Sequence, residues 1–133
     1  MELKKTYKGL ILGLIGFCIV SMGVTLLPLS SLVLVRIINN FCTFGVVLLA
    51  YVIYRTEYVY WYTGTTYEEA LKAGRDRRKS FALKHFRCFG LFGVLFLVFS
   101  VVSYFLHMSI WIDTAILFSG ITVAALWTIR FKL

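Results

Sequence analysis

Negative charge is scarce in this chain, where six Asp and Glu stand against fourteen Lys and Arg in 133 residues. Proline occurs once, at Pro28. Cys18, Cys42 and Cys88 are odd in number and far apart, so neither a disulfide framework nor a CxxC metal or redox pattern is present. The two histidines, His85 and His107, belong to no H-E-x-x-H run, and the chain has no glycine-rich phosphate loop or serine-nucleophile motif. No metal site and no cofactor are expected, and an enzyme is disfavoured.

Charge of either sign is also low, at 15% of residues against about 25% in a soluble domain. Hydrophobic residues make up 60%, with mean hydropathy +0.86. A small water-soluble fold leaves too much of its surface exposed to hide that excess. Four apolar runs, residues 9–29, 32–54, 89–108 and 110–129, each approach the roughly 20 residues that cross about 30 Å of hydrocarbon. The first outlasts a signal-peptide core and ends at no A-x-A-like site, so it reads as a span.

The fold class expected is an all-α integral membrane protein, one four-helix membrane domain over residues 1–133. Its helices form two antiparallel pairs, because the links at "PLSS" and "HMSIWID" are short. A cytoplasmic or interfacial amphipathic helix is expected within the connecting segment 55–88.

Thirteen of the fourteen basic residues lie before span one, in the 55–88 segment or after span four. By the positive-inside rule the protein is multi-pass in a cell membrane with both termini cytoplasmic. The net charge of +8 therefore reflects topology and attraction to anionic phospholipids, not nucleic acid, for which no binding motif is present.

In the central segment the dense run "YVIYRTEYVYWY" suits the headgroup layer. Thr65 and Thr66 each precede a glutamate, Glu68 or Glu69, by three residues, the capping-box spacing that opens a helix. Tyr67, Ala70, Leu71, Gly74 and Phe81 recur at helical spacing, while Arg75, Arg77, Arg78 and Lys79 supply a basic face. That combination predicts a helix pressed on the inner leaflet, its arginines and lysine contacting anionic lipid. In span one, Gly9, Gly13 and Gly16 offer a surface for close helix packing, against this chain or another.

"VRIINN" places Arg36, Asn39 and Asn40 a few residues inside span two. At similar depth lie Ser21 and Thr25 in span one, Ser100, Ser103 and His107 in span three, and Asp113 at the start of span four. Ionisable and amide groups inside a span normally face protein or water, so an outer-half polar network or cavity is expected. Arg36 with Asp113 is the natural charge pair, and His107 is a candidate third member. The expected role is structural, accessory or protein-interacting, with self-association or another membrane protein as partner. The alternative is a homo-oligomeric channel or transporter for a small ion or solute.

Overall fold

The computed structural model describes residues 3–133, and among these no strand occurs. Four helices are long and apolar enough to cross a membrane: α1 (Lys8–Thr25), α2 (Ser31–Thr56), α3 (Tyr67–Phe105) and α4 (Ile110–Thr128). A single 3₁₀ turn, Val59–Trp61, lies between α2 and α3. The α1–α2 and α3–α4 links sit at one end of the bundle, called here the turn end. Both chain termini pack at the other, the terminal end, where Leu3 and Leu133 join one hydrophobic cluster.

Gly74 interrupts α3 with φ 78° and ψ 168°, a conformation essentially reserved for glycine. From Arg75 onward the helix runs unbroken to Phe105, about 46 Å at 1.5 Å per residue. That exceeds the roughly 30 Å of hydrocarbon, so a rod of this length crossing a membrane would project beyond it by several turns. The junction with span three is therefore a continuous rod, and the bend falls before it.

The projecting part of α3 differs from the sequence expectation of an interfacial helix laid on lipid. Its apolar residues Ala70, Phe81 and Ala82 are buried with Ile53, Val59 and Tyr60 inside the chain. The aromatic run is likewise spent on protein. Tyr60 and Tyr67 grip the N-terminal backbone, the Tyr67 hydroxyl donating to the Leu3 carbonyl at 2.6 Å and the Tyr60 hydroxyl accepting from the Thr6 N–H at 3.0 Å. Trp61 Nε1–H donates to the Thr6 carbonyl at 3.0 Å.

The N-terminus of α3 carries a complete capping box. Thr66 Oγ1 accepts from the Glu69 N–H at 3.2 Å, and Glu69 Oε2 accepts from the Thr66 N–H at 2.8 Å. The bond from the Thr66 N–H, with the Thr66 hydroxyl beside it, holds the Glu69 carboxyl below the usual glutamate range. A lowered folded-state value means that its contribution is present above the unfolded value and is lost as pH falls through the folded one. Protection factors for amide exchange over residues 67–73, with the pH dependence of intrinsic exchange divided out, should therefore fall on acidification, and Thr66→Ala should lower them at neutral pH by removing a cap that contributes about 0.5–2 kcal/mol. Unchanged protection in both cases would show that tertiary packing alone holds this turn.

Helix contacts are closest at glycines that the hydrophobic pattern gives no reason to single out. A Cβ on Gly93 would stand 2.8 Å from Val47 Cγ2, and one on Gly45 would stand 2.5 Å from Phe17 Cε2. On Gly120 it would overlap the Phe92 ring. By contrast Gly13 and Gly16 face open space, and Gly9 meets only the Trp61 ring at 3.3 Å. The packing expected of the span-one glycines is thus not made within the chain. Gly120→Ala should cost about 1–3 kcal/mol through overpacking, whereas Gly13→Ala should stay within about 0.5 kcal/mol. Unfolding in bicelles compares the two, and equal effects would contradict these packing assignments.

Candidate functional site

Arg36 lies in the second turn of α2 and Asp113 in the first turn of α4, so both point into the bundle near the turn end. Arg36 Nη1 is 3.1 Å from Asp113 Oδ2, with the Asp113 side chain 1% exposed and that of Arg36 13%. The alignment of this contact is that of an ion pair and not of a hydrogen bond, leaving Oδ2 without a hydrogen-bond donor. The other carboxylate oxygen accepts from the Ser103 hydroxyl on α3. Arg36 Nη1 also donates to Ser103 Oγ at 3.1 Å, and Nη2 donates to the Met108 carbonyl at 2.7 Å. One guanidinium thereby ties α2 to α3, α4 and the link between them.

The asparagines extend the same seam. Asn40 Nδ2 donates to Ser100 Oγ on α3 at 2.7 Å and to its own helix at the Arg36 carbonyl, 2.9 Å away. Asn39 Nδ2 donates to Thr114 Oγ1 on α4 at 3.1 Å. Thr43 turns back on its helix, donating to the Asn39 carbonyl at 2.9 Å. In an apolar bundle such groups would be costly without partners, and here side chains of three helices satisfy one another. Isolated interhelical hydrogen bonds in membranes contribute about 0.6 kcal/mol each, so the charged pair dominates the set.

Two expected participants stand apart. His107 is exposed and has φ 52°. It is the left-handed residue of a Schellman ending to α3, in which the Met108 N–H reaches the Ser103 carbonyl at 3.0 Å and the His107 N–H reaches Tyr104 at 3.2 Å. It turns the chain, and among the described residues the partners of Asp113 are Arg36 and Ser103, not His107. Ser21 and Thr25 bond their own helix at the Phe17 and Met22 carbonyls, so α1 contributes nothing to the network. Three helices, not four, build it.

A recess of about 450 Å³ opens on the outer face between α2 and α3, lined by Arg36, Asn40, Ser100 and Tyr104 with apolar neighbours. The Arg36 guanidinium lies 5.9 Å from the Tyr104 ring centroid, within the range of a cation–π contact.

A second charged cluster occupies the terminal end. Glu57 closes α2 in a left-handed conformation, φ 61°, and its carboxylate receives Arg75 Nε at 3.1 Å and Arg78 Nη2 at 3.0 Å. Arg78 also donates to the Ala70 carbonyl at 3.1 Å and is 6% exposed. Of the residues expected to contact anionic lipid, Arg78 is buried, while Arg75 keeps 63% of its side chain exposed beside Glu57. Arg77 and Lys79 are exposed. Glu57 was not a candidate in the sequence, since it lies 18 and 21 residues before its partners, separations that fix no distance. Its one signal is that an acid interrupts an aromatic run.

Close by, His85 is buried and stacks on Tyr62 with ring centroids 4.2 Å apart. The Tyr62 hydroxyl is buried without a partner, and burial pushes its phenol well above the usual range. Among the described residues no three His, Cys, Asp or Glu converge in a way that would hold a metal ion. Comparison with protein-family models, curated proteins and solved structures finds no match to this chain.

Proposed function

We propose that this protein is a multi-pass component of the cell membrane, with its terminal end and both termini in the cytoplasm, and that it acts by assembly with another membrane protein or with its own copies. The observation that carries this reading is the self-satisfaction of the bundle's polar interior. Arg36, Asp113 and Ser103 bond one another, and Asn39 and Asn40 bond Thr114 and Ser100 on the neighbouring helices, which is the behaviour of a helix staple. Meanwhile α1 contributes no buried residue. Leu12, Ile15, Ile19 and Met22 form an outward stripe on it, each more than half exposed, and a partner helix would use that face. The distribution of basic residues supports the orientation.

The mass and composition of the complex gently extracted from its native membrane test the reading. A stoichiometric foreign subunit or a defined self-assembly is expected, and a monomer free of other protein would overturn it. A second reading, small-solute or ion transport, draws on the recess beside Arg36 and Asn40. Flux through reconstituted protein that disappears in a folded Asn40→Leu variant would favour it.

A further inference from the structure

Between α1 and α2 runs an apolar groove of about 480 Å³. Phe17 of α1 inserts against Gly45 of α2 and stacks on Phe41 with ring centroids 4.7 Å apart, and Gly9 rests on Trp61 of the 3₁₀ turn. Gly13 and Gly16, where an added Cβ would meet no atom within 4 Å, line the groove together with Leu48 and Leu49. We infer that this groove holds one acyl chain of an anionic phospholipid whose phosphate sits between Lys8 and Arg55.

Length and charge select this occupant. The groove's walls extend from Gly9 to Val20 on α1 and from Phe41 to Val52 on α2, in each case about 16 Å at 1.5 Å per residue. That is half of the roughly 30 Å hydrocarbon thickness, the depth of a single leaflet. A spanning helix needs the full thickness, so the groove fits a lipid tail better than a partner helix. At its terminal end the basic residues nearest along the chain are Lys8, next to Gly9, and Arg55, three residues beyond Val52. Both are exposed, and among the described residues neither makes an ion pair. Towards the turn end the basic residue on these two helices is Arg36, which is already paired with Asp113. Trp61 at the mouth marks headgroup depth, where tryptophan rings favour the boundary.

Attraction of this mouth to the anionic cytoplasmic leaflet rests on the orientation proposed above, but binding itself does not. The test is therefore made in detergent, where no membrane side exists. The purified protein is mixed with equimolar phosphatidylglycerol and phosphatidylcholine and examined by native mass spectrometry. One retained phosphatidylglycerol per chain is expected, preferred by roughly 30-fold, as two basic residues confer at a membrane surface. Lys8→Gln with Arg55→Gln should bring the preference close to unity while leaving lipid retention in place. Gly13→Leu with Gly16→Leu, whose side chains enter open space, should abolish retention of both lipids with helical content unchanged. Full retention in the folded leucine variant would overturn the assignment, as would an undiminished preference in the glutamine variant. A lipid-free dimer that the leucines dissociate would also overturn it, identifying the groove as a seam between copies.

Discussion

Asp113→Ala is expected to destabilise the bundle by about 3–5 kcal/mol, because it leaves the Arg36 guanidinium in an apolar interior without its counter-charge. The Asp113 side chain is 1% exposed, and among the described residues no other acid pairs with Arg36. Nor is the loss confined to one contact. Ser103 would keep its bond from Arg36 but lose its own acceptor. Replacing both charges together, Arg36→Leu with Asp113→Leu, should recover much of the stability, since a well-packed apolar pair often equals or exceeds a buried ion pair. Steric-trap or denaturant unfolding in bicelles reads all three proteins. A double variant that is the least stable of the set would mean that the ion pair itself carries more of the stability than its desolvation consumes.

The second large effect is expected at the opposite end. Glu57→Ala should cost about 3–5 kcal/mol, since Arg78 is buried and would lose its carboxylate partner among the described residues. Glu57 also occupies a left-handed position, so a backbone effect has to be separated from the charge. Glu57→Gly does so, because glycine adopts that conformation without steric cost yet removes the carboxylate. Both variants should loosen the projecting part of α3, with trypsin cutting faster at Arg75, Arg77 and Arg78. If Glu57→Gly stays as resistant as the parent chain, the pairing with Arg78 contributes nothing and the residue serves only to end α2.

Hydropathy and charge alone made the four long apolar helices legible, since a run of some twenty apolar residues has few alternatives. Capping chemistry was legible too, because Thr66 and Glu69 act within one turn. Long-range pairing was legible only where few solutions existed. Arg36 had Asp113 as the sole acid at its depth, whereas Arg75 and Arg78 lay among many charges and gave no hint of Glu57. The apolar face of the same helix looked lipid-facing because sequence shows a helix's faces but not what covers them; Ile53, Val59 and Tyr60 pack with Ala70, Phe81 and Ala82 in one buried cluster, while Arg75, Arg77 and Lys79 stay exposed. His107 misled for a related reason. Residue type indicated a titratable group, while its actual position is set by backbone geometry at the end of α3. The glycines show the same limit, since "GLILGLIG" displays a packing motif whereas the tight contacts occur at Gly45, Gly93 and Gly120, set by Phe17, Val47 and Phe92 on other helices.

The most direct measurement of the staple is a double-mutant cycle on Arg36→Ala and Asp113→Ala, with unfolding free energy measured in bicelles. A side-chain pair that holds α2 to α4 predicts a coupling of about 2 kcal/mol or more, towards the upper part of the range for residues in contact. Additive effects, with a coupling below about 0.5 kcal/mol, would contradict it and leave Arg36 and Asp113 available for a role other than joining helices.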